Sequence, residues 1–100
     1  MGMSEQLHYR RHDVFRKDAS GEVVIYRCFE VLPRGGYVVQ SADRVRLPLE
    51  RSLMEQHERQ LLELFCEMEP RMRGELCPTV EEAIARFDKA FSDIDEGNQL

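Results

Sequence analysis

Three histidines, three cysteines and a set of arginines interleaved with tyrosines are the side chains of this 100-residue chain most able to do chemistry. His8 and His12 stand four apart and share a face whether the backbone is helical or extended. No carboxylate or thiol recurs at a matching interval, so they read as solvent-facing histidines rather than metal ligands. Cys28, Cys66 and Cys77 are odd in number and never form a Cys-x-x-Cys pair, which argues against a disulfide framework and against a zinc knuckle. A set of Cys66, Cys77 and His57 matches no known ligand spacing. Neither a metal nor a cofactor is therefore expected. His57 has no neighbouring nucleophile or orienting acid in the sequence, and no catalytic residue is assigned. Gly35-Gly36 lacks the strand-to-helix context of a phosphate loop and reads as turn chemistry.

The feature least explained by folding is the basic and aromatic set. Arg10, Arg11, Arg16, Lys17, Arg27, Arg44 and Arg46 alternate with Tyr9, Tyr26 and Tyr37. Arginine and tyrosine are the types that anchor interfaces, so Arg10, Arg16, Arg27, Arg44, Arg46, Tyr26 and Tyr37 are the candidate partner-binding residues. The alternative is a solvated sheet face balanced by Glu22, Glu30 and Asp43. A second alternative is a pocket between sheet and helices, with Tyr26, Cys28 and His57 the residues most able to line it.

These side chains must be positioned by the elements around them. Val23 to Leu32 is rich in β-branched and aromatic residues, Pro33-Arg34-Gly35-Gly36 punctuates it, and a second such run opens at Tyr37. This predicts a hairpin. Apolar residues occupy both faces of the first run (Val23, Ile25, Phe29 and Val31; Val24, Tyr26, Cys28 and Leu32), so it should be a central strand with cover on each face, or on one face plus a partner. Leu7 to Lys17 alternates apolar and basic residues as an edge strand does. Asp18-Ala19-Ser20-Gly21 has the composition of a tight connection.

After Pro48, placed where a helix can begin, apolar residues from Leu49 to Met68 recur at helical spacing up to Pro70. At around twenty residues this helix would be roughly 30 Å long, more than three strands need for cover. Thr79-Val80-Glu81-Glu82 has the form of a capping box, and Val80, Ala83, Ile84, Phe87, Phe91 and Ile94 follow in steps of three and four. The predicted fold is α+β: a three-stranded antiparallel meander followed by two amphipathic helices packed on one face, in the order β-β-β-α-α. Residues 1–6 should be a disordered N-terminus, 7–96 a single domain and 97–100 a tail.

Charge narrows the partners. The net charge of −5 is unevenly held: residues 1–50 carry eight Arg/Lys against seven Asp/Glu, and residues 51–100 carry six against twelve. An acidic domain repels nucleic acid, so a protein partner or a second copy of the chain, forming a homodimer, is favoured. No apolar run approaches the roughly 20 residues that span a bilayer, so no membrane partner is expected and the location expected is cytoplasmic.

Gly36-Tyr37-Val38-Val39, and Thr79 to Phe87 as Thr-Val-Glu-Glu-Ala-Ile-Ala-Arg-Phe, resemble segments of HicB-type antitoxins. Those are small partner-binding proteins with a partial double-stranded-RNA-binding-like fold. The resemblance covers about a fifth of the chain, and the long helix between the two pieces departs from that family, so the chain is not assigned to it. The expected function is a small non-enzymatic protein-binding or regulatory module acting through an Arg/Tyr-rich sheet face or its long helix. A small enzyme or ligand-binding protein and a nucleic-acid-binding regulator of antitoxin type are the alternatives.

Overall fold

The computed structural model describes residues 6–97, with side chains as far as Phe91. The chain runs β1(His8–Lys17), β2(Val23–Leu32), β3(Tyr37–Val45), α1(Arg51–Glu67), a single 3₁₀ turn (Pro70–Met72) and α2(Val80–Gly97). The strands form one antiparallel sheet in the order β1-β2-β3. This is the α+β meander followed by two helices that the sequence predicts. Of the expected N-terminal segment only Gln6, and of the expected tail only Gly97, lies within the described residues.

Both turns follow from local chemistry. Asp18 Oδ1 accepts from the Ser20 and Glu22 amides at 2.9 and 3.1 Å and from the Ser20 hydroxyl at 2.6 Å. Those donors, the Ser20 hydroxyl foremost, hold its carboxyl below the ordinary value. Gly35 and Gly36 both take positive φ (86° and 102°), a conformation that a side chain disfavours. At Gly36 a Cβ would also stand 3.1 Å from that of Leu76, so this glycine lets the later loop approach the turn. Thr79 Oγ1 accepts from the Glu82 amide at 3.2 Å, one half of the expected capping box.

Two details differ from expectation. The first helix begins at Arg51 rather than at Leu49, because Glu50 still has extended backbone (φ −108°, ψ 130°). The helices also do not share a face. Val24, Tyr26, Cys28 and Val39 pack with Cys77 and with Ala83 of α2, joined by Val80, Ile84 and Phe87. Phe29 and Val38, of the opposite parity, pack with Leu61 and Phe65 of α1 and with Tyr9. One helix therefore covers each face, the first of the two arrangements that the doubly apolar β2 allows.

The seal is unequal. Leu61 is the one buried residue of α1, while Leu53 and Leu62 remain exposed. Gln40 and Arg73 supplement it: the Gln40 amide donates to the Leu61 carbonyl at 3.2 Å and the Arg73 guanidinium to the Leu64 carbonyl at 2.6 Å. Leu61→Ala is expected to lower stability by about 3 kcal/mol in urea denaturation. Amide exchange should accelerate in α1 before it does in β2, because so little else holds that helix down.

Candidate functional site

The seven Arg and Tyr candidates do not form one surface. Arg10, Arg16 and Arg44 share the α2 side of the sheet with Tyr26 and Tyr37, and α2 occupies the middle of that side. Tyr26 is buried at 2% exposure beneath it, its hydroxyl donating to Asp88 at 2.9 Å. Burial, and then Asp88, push its pKa up. Arg16 reaches Asp88 at 3.7 Å and lies 5.7 Å over the Tyr26 ring. Arg10 pairs with Glu30 at 3.7 Å, and Glu22 takes Arg44 and Arg46 at 3.0 and 3.8 Å. Tyr37 stacks edge-on with His12 and exchanges backbone hydrogen bonds with Cys77 at 2.8 and 2.9 Å. The balancing acids that the sequence offered, Glu22, Glu30 and Asp43, do balance this set.

Arg27 is on the other face and buried, with 6% of its side chain exposed. It donates to Asp13 at 2.8 Å and to Asp43 at 2.9 Å, so one guanidinium ties β1, β2 and β3 together. Asp13 also accepts from Arg11, which grips Glu58 of α1 at 2.9 Å. The order Glu58, Arg11, Asp13, Arg27, Asp43 alternates in sign across three strands and a helix. Hydrogen bonds to Glu58 and then Asp13 hold the Arg11 pKa above its ordinary value, and Arg11 holds the Glu58 carboxyl below its own. Each charge faces an opposite charge, so this lattice positions strands and offers no free acid or base.

Tyr26, Cys28 and His57 do not converge. The first two face α2, whereas His57 is on α1, beyond the opposite face, with its Nδ1 buried and unpartnered among the described residues. Burial, with a contribution from Asp13, pushes the Cys28 thiol up to about 12. Among the described residues no group of three or more His, Cys, Asp and Glu is placed to hold a metal ion. No described helix is long and apolar enough to cross a membrane.

A cleft of about 590 Å³ opens elsewhere, beside β3 between the 73–77 loop and α2. Val38, Val39, Ala83, Phe87, Ala90 and Phe91 supply its apolar surface, and Arg73, Arg86 and Lys89 stand against one carboxylate, Glu75. Arg86 pairs with Glu75 at 2.9 Å instead of with Glu82 one turn away, which braces the loop to the helix. Phe87 and Phe91 are in ring contact at 4.4 Å, and Phe91 is 51% exposed. The sequence places Phe91 on the apolar stripe of α2 without showing that it is exposed. The available signal was length: α2 has 18 residues, roughly 27 Å of helix, against a sheet only about 14 Å across. Phe91 is not among the residues packed against the core that Val80, Ile84 and Phe87 join. Arg73 and Lys89 carried no such signal, since each belongs to a different element.

The chain matches no family model, no curated protein and no solved structure.

Two outcomes follow from the buried groups. Arg27→Ala removes the cation between Asp13 and Asp43, leaving Asp13 to Arg11 alone, and should cost about 3 kcal/mol by urea denaturation. Arg27→Met combined with Asp13→Asn and Asp43→Asn should recover most of that loss. With a pKa near 12, Cys28 is thiolate in only about one molecule in ten thousand at pH 8. Mass spectrometry after native alkylation should find Cys66, which is exposed, modified long before Cys28.

Proposed function

We propose that this chain is a non-enzymatic binding module whose β3/α2 cleft receives a segment of a partner protein. The observation that carries this reading is the cleft lining: apolar side chains that include exposed Phe91, with three cations and one carboxylate. Apolar clefts with a few convergent charged groups are the usual form of a binding site, and exposed aromatic and arginine side chains supply most of the energy at protein interfaces.

The chemistry of the lining disfavours catalysis. Cys77 is its one thiol; it is 3% exposed, and among the described residues no histidine lines the cleft to activate it. The excess of cations calls for an acidic segment. A second copy docking by two-fold symmetry would set the same three cations against themselves, so a different protein fits the charge better. The binding surface proposed is thus the cleft, rather than the sheet face or the long helix. The likeness to antitoxin segments agrees with a partner-binding role but does not specify the partner.

A random dodecapeptide library displayed on phage and selected on the whole chain tests this reading. Enriched peptides should combine Asp or Glu with large apolar residues, and their affinity should fall as salt rises. Phe91→Asp and Arg86→Glu, each checked for folding by circular dichroism, should each weaken those peptides about tenfold or more. Failure to enrich any peptide, or full affinity in both variants, overturns the proposal.

A further inference from the structure

The cleft lies beside the outer edge of β3. β2 pairs along one side of β3, and on the other side Tyr37 alone exchanges backbone hydrogen bonds, with Cys77, among the described residues. From Val38 to Val45 the outer side has no backbone hydrogen-bond partner there, but Val38, Val39 and Gln40 are buried beside the 73–77 loop, so the accessible border runs from Ser41 to Val45. Val38, Val39 and Gln40 of that edge line the cleft, so its wall is partly the unpaired border of the sheet.

The two edges of the sheet differ. β1 carries Arg10, Arg11, Asp13, Arg16 and Lys17, the charged residues that keep an edge from pairing with another chain. β3 carries Val38, Val39, Gln40, Ser41 and Ala42 in its first six residues and no charge before Asp43. The Tyr37–Cys77 bridge already adds one antiparallel residue of this chain's own loop on the outer side, so an added strand would begin beyond it. The β2–β3 register slips by one residue between Arg27 and Cys28, leaving Gln40 as the extra residue of β3. An added strand would therefore meet a bent edge, with Val38 and Val39 before the bend and Ser41 to Val45 after it.

Resting on the binding reading above, we infer that the partner segment binds by strand addition: an extended, acidic peptide pairs its backbone with β3 while its apolar side chains enter the cleft toward Phe87 and Phe91. Backbone pairing supplies affinity without regard to sequence, and the cleft selects alternate side chains. Arg73, Arg86 and Lys89 select for negative charge.

The test is a scan of single backbone N-methylations along a peptide enriched in the selection above, with amide exchange of the whole chain followed by NMR. Strand addition predicts a two-residue alternation, in which methylation at every second position lowers affinity at least about tenfold and at the intervening positions changes it little. It also predicts slowed exchange in the accessible segment from Ser41 to Val45. A peptide that responds to Phe91→Asp but shows no alternation and no such slowing leaves the binding module standing and overturns strand addition. Concentration-dependent dimerisation that slows the same amides without peptide also overturns it, since a second copy would then hold the edge. If no peptide is enriched, the binding reading fails and this inference fails with it.

Discussion

A central strand with apolar side chains on both faces must be covered on both, and the rest of this molecule follows from that constraint. β2 buries Val24, Tyr26 and Cys28 toward one side and Ile25, Phe29 and Val31 toward the other. Its neighbours in the sheet shield its edges but neither face, so each helix is committed to a different side. Tyr9, Phe29 and Phe65 meet in edge-on and tilted ring contacts on the α1 side, and Tyr26 meets Phe87 edge-on on the α2 side. Burial of these large rings is the main favourable term available to a domain this small.

The α1 side is completed by charge rather than by further apolar packing. α1 contributes a single fully buried side chain, and beside that contact Arg27 lies among Asp13, Asp43 and the Arg11–Glu58 pair. Such a lattice adds modest net stability, because desolvation offsets much of the attraction, yet it penalises every wrong register. Asp13 stands directly opposite Arg27, so a one-residue slip of β1 would separate them and turn both toward different faces. The lattice thus acts on strand alignment, which apolar packing on a nearly continuous hydrophobic strand specifies poorly.

The α2 side ends in a surplus. The apolar stripe of the helix runs on to exposed Phe91, and the 73–77 loop faces it across the cleft beside β3. The same helix that completes the core therefore furnishes one wall of the cleft. The loop on the opposite wall is held at three points: the Cys77 bridge to Tyr37, the Arg73 bond to the Leu64 carbonyl and the Arg86–Glu75 pair. A cleft braced in this way is preformed, and less ordering cost falls on binding.

Patterns confined to neighbouring residues determined the elements. Val23 to Leu32 and Tyr37 to Val45 are strands because alternation and β-branching require no distant partner to be recognised. Asp18, Gly35, Gly36 and Thr79 act within four residues of themselves, so their turns and cap were legible too. Parity even assigned the faces of β2. What covers each face was decided only in three dimensions, as were the burial of Arg27, the pairing of Arg11 with Glu58 forty-seven residues away, and the cleft beside β3. Side chains that meet across such separations leave no mark in local periodicity, and a charge on a strand reads as solvent-facing until its counter-charges are brought to it by the fold.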